Sequence, residues 1–193
     1  MKRVCVFCGS SKGKDKIYVE AAKELGILLA QKDLELIYGG GSVGLMGEMA
    51  DAMLKIGGRV TGVIPRFLYD WEVGHDGVTE LIIVHSMHER KQKMAEMSDA
   101  FIALPGGYGT LEELSEILTW IQLNLIQKPV GLLNINGFFD HFIHQLDHMV
   151  KEGFLKTTNR ELLLVSDTPT GILEHLKRHK PVVEAKWIDI DKT

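Results

Sequence analysis

Short apolar runs alternate along the chain with longer segments in which apolar residues recur at helical spacing. Each run ends in glycine, proline or a polar residue, which is typical of a buried strand. The runs predict strands at residues 3–8, 34–38, 59–64, 81–85, 100–104, 129–133 and 162–165. Helices are predicted at residues 18–31, 50–56, 114–120 and 138–151, from Ser86 onwards, and from Thr168 and Pro169 to a point before Pro181.

Strands that are apolar throughout are buried on both faces, as in a parallel sheet covered by helices. Their alternation with helices predicts an α/β fold with a mostly parallel sheet and helices on both faces, joined by right-handed crossovers. A chain of 193 residues suits one domain, which would span residues 1–193. In such sheets ligands bind beyond the carboxyl ends of the strands.

The segment PGGYGTLEE at residues 105–113 joins the strand at 100–104 to a helix. Its glycines allow close approach of a ligand, and the free N–H groups of a helix start favour an anion. Glu113, one turn inside, is then a candidate acid or base beside a phosphate. The alternative is that Thr110 and Glu113 form a capping box that only satisfies the helix start.

A second glycine turn follows the strand at 34–38, and Gly39, Gly41 and Gly44 match G-x-G-x-x-G. A dinucleotide site also needs an acid at the end of the next strand, and that strand ends at Pro65. We therefore predict a phosphate- or nucleotide-contacting turn and not an NAD site. The alternative is that these glycines serve tight packing alone. The loop at 9–14 is a third glycine turn, with only superficial likeness to a P-loop.

Arg90 and Lys91 fall in the first turns of a helix whose start, at residues 86–89, forms a capping box. The helix dipole disfavours a cation there, so pairing with a substrate phosphate or leaving group would explain Arg90. The alternative is an ordinary surface charge paired with Glu89 or Glu96. Residues 66–78 are predicted to be an irregular lid or substrate-selecting loop that contains Glu72.

Composition excludes several classes of protein. A net charge of −4 without a basic stripe argues against nucleic-acid binding, and no apolar run is long enough to span a membrane. The N-terminal apolar stretch is too short for a signal peptide, so we expect a cytoplasmic protein. Cys5 and Cys8 would point to opposite faces of one strand, which disfavours a redox pair. Histidines 141, 144 and 148 share a helix face without a ligand from elsewhere, so no metal is expected.

The motifs PGGYGTLEE at 105–113 and MHERK at 87–91 together resemble the LONELY GUY phosphoribohydrolase family, long labelled lysine decarboxylase-like. The likeness covers nearly the whole chain, including CGSS at 8–11, YGGGSVGLMG at 38–47 and KPVGLLN at 128–134. The resemblance implies a homodimeric, Rossmann-like, doubly wound enzyme. It would hydrolyse the N-glycosidic bond of a nucleoside 5′-monophosphate, AMP or an N6-substituted cytokinin form, to the free base and ribose 5-phosphate, without a cofactor.

By the same resemblance, Arg90 and Glu113 are the catalytic pair. The substrate- or phosphate-binding residues would be Gly9, Ser10, Gly40, Gly41, Gly44, Glu72, Lys91, Gly106, Gly107, Tyr108, Gly109, Thr110, Leu111, Glu112 and Thr119. A carboxylate at Glu113 could stabilise an oxocarbenium-like ribose and activate water. Two alternatives remain: a non-catalytic nucleotide-binding or carrier module, and a decarboxylase, which would need a lysine bonded to pyridoxal phosphate.

Overall fold

The computed structural model describes residues 1–179, except for the side chain of Glu72. The C-terminal tail predicted at 182–193, with Trp187, lies outside the described residues. Seven strands form one parallel sheet in the order β4-β3-β2-β1-β5-β6-β7. The strands are β1 Arg3–Phe7, β2 Glu35–Tyr38, β3 Val60–Pro65, β4 Glu80–Val84, β5 Ala100–Ala103, β6 Val130–Leu133 and β7 Leu163–Ser166. All six pairings are parallel, which confirms the predicted sheet.

Helices cover both faces of this sheet. They are α1 Lys16–Gln31, α2 Gly44–Leu54, α3 Arg66–Leu68, α4 Met87–Met97, α5 Tyr108–Gln122, α6 Asp140–Lys151, α7 Thr157–Arg160 and α8 Pro169–Arg178, with a π-helical turn at Tyr69–Val73 and a 3₁₀ turn at Ile135–Gly137. One apolar core joins the sheet to α1, α2 and α8, and the other joins it to α4, α5 and α6. The predicted doubly wound architecture is therefore confirmed.

The order of strands explains where a ligand can bind. From β1 the chain builds outward to β4, and it then returns to the other side of β1 to build β5, β6 and β7. The connections after β1 and β5 therefore leave in opposite directions, which opens a crevice at the carboxyl edge of the sheet. The backbone N–H of Gly9 donates to Pro105 O at 3.0 Å, so the two connections touch at the base of that crevice.

Two helices begin earlier than the apolar periodicity predicted. α2 starts at Gly44 and not at residue 50, and α5 starts at Tyr108 and not at residue 114. Glycine has low helical propensity, so glycine-rich first turns hide the start of a helix. The predicted irregular segment at 66–78 is partly helical, with α3 running directly into the π-helical turn. Within residues 1–179, no helix has the length and apolarity needed to cross a membrane.

Cys5 and Cys8 point to opposite faces of β1, as predicted. Cys5 packs in the core under α4 and α5, while Cys8 belongs to the core under α1 and α2. Both are unbonded and buried, and burial raises the pKa of each thiol. Across the described part of the chain, no cluster of three or more His, Cys, Asp or Glu side chains could hold a metal ion.

Candidate active site

A cleft of about 450 Å³ lies at the carboxyl edge of the sheet. Its walls come from the connections after β1, β2, β3 and β5 and from the first turns of α4. The lining residues are Cys8, Gly9, Ser10, Gly39, Gly41, Val43, Met46, Ile64, Leu68, Val73, Met87, Arg90, Gly107, Tyr108, Gly109, Thr110, Glu112 and Glu113. The cleft therefore sits where the strand order reverses, which is the usual place for a ligand in this architecture.

The start of α5 forms one wall of the cleft and has no side-chain cap. Its N-cap is Gly107, which cannot supply one. The alternative that Thr110 and Glu113 form a capping box is wrong, because the helix begins at Tyr108, two residues before Thr110. The Thr110 side chain instead packs against Gly106, where an added Cβ would overlap its hydroxyl. The first N–H groups of α5 have no intrahelical partner, so they are suited to binding an anion in the cleft.

Arg90 and Glu113 face each other across the cleft. Arg90 Nη2 lies 3.6 Å from Glu113 Oε1, and the two residues are only 9% and 8% exposed. Arg90 is therefore not a surface charge paired with Glu89 or Glu96. Its Nε is buried and without a hydrogen-bond partner, and Nη1 makes only a 3.8 Å contact with Met87 Sδ. Because the Arg90 guanidinium lines the cleft and is always charged, it is able to bind an anionic or polar ligand there.

Local structure places Arg90 in this position. Ser86 is the N-cap of α4, and its Oγ accepts from the N–H of Glu89 at 3.1 Å. The Glu89 carboxylate accepts from the N–H of His85 at 2.7 Å, so the predicted capping interaction is present with a one-residue offset. The guanidinium then lies directly against Gly39, where any Cβ would overlap Nη2. Gly39 thus leaves the space that Arg90 occupies.

Burial sets the protonation of Glu113. Removal of the carboxyl from water raises its pKa to about 7, although the positive charge of Arg90 acts in the opposite direction. Glu112 and Glu116 add to the increase, and Lys91 opposes it. At neutral pH the carboxyl is therefore close to half ionised, which is the range in which one group can both accept and donate a proton.

The segment after β3 closes the side of the cleft next to the 39–47 turn. The N–H of Ser42 donates to Val73 O at 2.8 Å, and the N–H of His75 donates to Gly40 O at 2.9 Å. His75 Nε2 also lies 3.1 Å from Asp51 Oδ1 on α2. These contacts hold Val73 in the cleft wall. Glu72 is in this segment, but its side chain lies outside the described part of the structure.

The cleft brings together most of the predicted site residues. Those that line it are Gly9, Ser10, Gly41, Arg90, Gly107, Tyr108, Gly109, Thr110, Glu112 and Glu113. Gly40, Gly44 and Gly106 belong to the same turns but do not line it, and neither does Leu111. Gly40 and Gly44 have φ of 72° and 65°, so their glycines are required by backbone conformation.

Two predicted residues lie away from the cleft. Thr119 is exposed near the end of α5, where its hydroxyl donates to Ser115 O at 2.8 Å. Eleven residues separate it from Tyr108, which is about 16 Å along a helix. Lys91 is buried between α4 and α5, where its ammonium contacts Glu112 and, at 3.2 Å, Glu116. The structure therefore places neither residue against the cleft.

Sequence reasoning missed most of the apolar wall. The additional lining residues are Cys8, Gly39, Val43, Met46, Ile64, Leu68, Val73 and Met87. Apolar side chains carry no chemical signature that separates a cleft wall from a core. For Gly39 a signal existed, because it is the first glycine of the G-x-G-x-x-G match.

Comparison with known proteins adds the family. The model of a family described as possible lysine decarboxylase matches residues 46–176. The probable cytokinin riboside 5′-monophosphate phosphoribohydrolase LOGL2 of Oryza sativa subsp. japonica is 48% identical over 191 residues, covering 96% of this chain and 78% of that protein. The cytokinin riboside 5′-monophosphate phosphoribohydrolase LOG5 of Arabidopsis thaliana is 48% identical over 181 residues, covering 94% and 79%. The chain belongs to the LONELY GUY family.

A more distant likeness supports the fold of this LONELY GUY protein. The molybdenum cofactor carrier protein of Chlamydomonas reinhardtii superposes with a TM-score of 0.68 at 23% identity, covering 92% of this chain and 96% of that one. At this level of identity the likeness shows the shared architecture alone. It leaves the chemistry of the cleft to be argued from its own residues.

The older decarboxylase label does not fit the cleft. Pyridoxal phosphate enzymes hold the cofactor through a lysine imine. Among the described residues that line the cleft there is no lysine, and the ammonium of neighbouring Lys91 is taken by Glu112 and Glu116. The residues present therefore do not provide the attachment point that this cofactor requires.

Proposed function

We propose that this protein is a nucleoside 5′-monophosphate phosphoribohydrolase. It hydrolyses the N-glycosidic bond of AMP or an N6-substituted AMP to the free base and ribose 5-phosphate. The observation that carries the proposal is the buried Arg90–Glu113 pair, at 3.6 Å, beside the uncapped start of α5 in one cleft. The phosphoribohydrolases that share 48% identity with the chain support the same reaction class.

The uncapped start of α5 binds the 5′-phosphate. Its first N–H groups and the positive end of the helix dipole attract an anion. Gly107 and Gly109 face open space, because a Cβ at either position would meet no atom within 4 Å. This anchors the substrate through a group that does not react, so that binding energy is used to orient the ribose.

Glu113 acts on the ribose. Cleavage of a ribose–base bond builds positive charge on the sugar, as in glycoside hydrolysis. The ionised carboxylate stabilises that charge and accepts a proton from the attacking water. Since the Glu113 pKa is raised to about 7, the carboxylate is available at neutral and higher pH and is lost below it. Turnover should therefore rise as pH increases through 7.

Arg90 acts at the same end of the cleft because it contacts Glu113. Its guanidinium lines the cleft and is always charged, so it can donate a hydrogen bond to the departing base. The remaining wall is largely apolar and includes Val43, Met46, Leu68 and Val73. Such a wall accepts the flat face of a purine and an apolar N6 substituent.

Assembly and location are part of the same proposal. We propose a homodimer of single-domain protomers in the cytoplasm. Leu123 and Leu125, directly after α5, are exposed and apolar, which is consistent with a covered surface in an oligomer. Light scattering of the purified protein measures this directly, and a monomeric mass would contradict it.

Base release from a panel of nucleoside 5′-monophosphates, measured by chromatography, tests the reaction. The panel includes monophosphates of the four common bases and N6-isopentenyl AMP. The corresponding free nucleosides, which lack the 5′-phosphate, are the control. We expect base release from the monophosphates and none from the free nucleosides. The Glu113→Gln variant should keep nucleotide binding and lose turnover by about 100- to 10,000-fold. Glu24→Gln, an exposed charge on α1, is the matched control and should behave like the wild type.

The alternatives make different predictions in the same assay. A carrier module would bind a nucleotide without releasing any base from the panel. Unchanged turnover in Glu113→Gln would remove that residue from the mechanism while leaving the reaction itself in place.

A further inference from the structure

Lys91 follows Arg90 on α4 but contacts a different part of α5. Successive helical residues point about 100° apart, so the two side chains cannot share one target. Arg90 lines the cleft, whereas Lys91 does not. Lys91 is 8% exposed, and its ammonium contacts Glu112 and, at 3.2 Å, Glu116. We call Lys91, Glu112 and Glu116 the outer cluster.

On α5, too, adjacent residues contact different partners. Glu112 and Glu116 are one turn apart, so they lie on one face and can hold the same ammonium. Glu113 is displaced by about 100° from Glu112 and faces Arg90. The two helices are thus joined by two adjacent contacts, namely the outer cluster and the Arg90–Glu113 pair.

These two contacts differ in strength. The Arg90–Glu113 separation of 3.6 Å exceeds hydrogen-bond length, and Arg90 Nε has no partner. The outer cluster has two charge-assisted hydrogen bonds to one buried ammonium. The outer cluster is therefore the stronger of the two contacts between α4 and α5.

We propose that Lys91 is a positioning residue, which holds α4 against α5 through Glu112 and Glu116 and so sets the geometry of Arg90 and Glu113. This inference rests on the proposed function of that pair. It assigns Lys91 a role other than phosphate binding, since two of its three donors are already used within the protein. Burial alone would lower the Lys91 pKa, but the hydrogen bonds that the ammonium donates to both carboxylates raise it overall, so the charge persists.

The charges around Glu113 predict pKa shifts of opposite sign when different members of the outer cluster are replaced. Arg90 and Lys91 of α4 lower the Glu113 pKa, while Glu112 and Glu116 of α5 raise it. The other titratable groups that face it are the thiols of Cys5 on β1 and of Cys8, the residue after β1, and burial keeps both protonated. Lys91→Met should therefore raise the Glu113 pKa, and Glu116→Gln should lower it.

The first experiment follows the Glu113 carboxyl by NMR in protein labelled with ¹³C at glutamate Cδ. Titration of the wild type and of the Lys91→Met and Glu116→Gln variants should give shifts of opposite sign. Lys93→Met, an exposed lysine on the same helix, is the matched control and should leave the titration unchanged. This measurement needs no turnover, so it tests the outer cluster even if the wild type releases no base.

The second experiment measures kcat, KM and the pH–rate profile of the same variants. Lys91→Met should lower kcat by about 10- to 100-fold, since small displacements of catalytic groups have effects of this size. The rising limb of its profile should move to higher pH, and that of Glu116→Gln to lower pH. Lys91→Arg, which keeps a cation able to bridge both carboxylates, should restore most of kcat and the original profile.

The opposite pattern would overturn the proposal. A phosphate ligand at Lys91 would raise KM for the monophosphate with kcat and the pH profile unchanged, and Glu116→Gln would then have no effect. If Lys91→Met leaves the Glu113 pKa unchanged, in the NMR titration or in the pH–rate profile, the positioning role is contradicted. Absence of base release by the wild type, with the NMR shifts present, would instead refute the proposed function and leave the contact between α4 and α5 established.

Discussion

The two glycine turns at residues 39–47 and 106–109 have similar composition and opposite packing. In the first, an added Cβ on Gly39 would overlap the Arg90 guanidinium, and one on Gly44 would overlap the backbone of Ser10. In the second, a Cβ on Gly107 or Gly109 would meet no protein atom within 4 Å. Gly39 and Gly44 are needed for packing within the protein, whereas Gly107 and Gly109 border open space in the cleft wall.

The two turns make different contributions to the same cleft. Gly39 makes room for the guanidinium of Arg90 beside the cleft. The 106–109 turn begins the helix that carries Glu113. Gly39 lines the cleft although it is needed for packing, so a glycine-rich motif does not by itself indicate a ligand contact. The alternative that glycines serve tight packing holds for Gly39 and Gly44.

The largest effect is expected from Gly44→Ala. Alanine there would be strained at a φ of 65° and would collide with the carbonyl group of Ser10, so the free energy of unfolding should fall by about 3 kcal/mol. Chemical denaturation of the purified variant measures this. Gly57→Ala is the matched control, because Gly57 has a φ of 79° but open space around it. It should lose only about 1 kcal/mol, and equal losses in both variants would show that strain, and not the collision, decides.

Much of the fold was predictable from the sequence, because buried parallel strands are apolar throughout and glycine turns mark their carboxyl ends. The catalytic pairing of Arg90 with Glu113 was implied by the family resemblance of the motifs at 87–91 and 105–113. The starts of α2 and α5 did not, since local helix signals are weak where glycine fills the first turn.

The remaining features depend on tertiary contacts that no local pattern contains. The role of Gly39 depends on the approach of α4 to β2, and that of Lys91 on the face of α4 that meets α5. Thr110 and Glu113 have capping-box spacing, but the helix starts at Tyr108, so the pattern has no helix end to cap. Burial of Glu113, which raises its pKa, is likewise a property of the assembled cleft.

An effect of similar size, but limited to a pH window, is expected at Glu113 on α5, the helix that begins at the second turn. Burial raises the Glu113 pKa from 4.5 to about 7, so the folded state holds a proton that the unfolded state releases. That stability is fully present below pH 4.5 and is lost as pH rises to about 7. Glu113→Gln cannot ionise, so its stability relative to wild type should increase across this window.

The gain should approach about 3 kcal/mol, since each unit of pKa shift is worth about 1.4 kcal/mol. Urea denaturation at pH 4.5, 6 and 7.5 provides the comparison. Glu24→Gln, which removes an exposed charge, should show no such trend relative to wild type. A constant difference between Glu113→Gln and wild type at all three pH values would contradict the raised pKa.

The smallest effect on stability, and the most direct test of the comparison, is expected from Gly109→Ala. Position 109 lies in the first turn of α5 with open space beside it, so alanine should leave stability unchanged or raise it by up to about 1 kcal/mol. The new methyl group would nevertheless occupy the space assigned to the substrate phosphate, so KM for the monophosphate should rise with little change in folding. Ser115→Ala, at an exposed position on the same helix, should match its stability without changing KM. An unchanged KM in Gly109→Ala would mean that the phosphate does not bind beside Gly109 and binds elsewhere in the cleft.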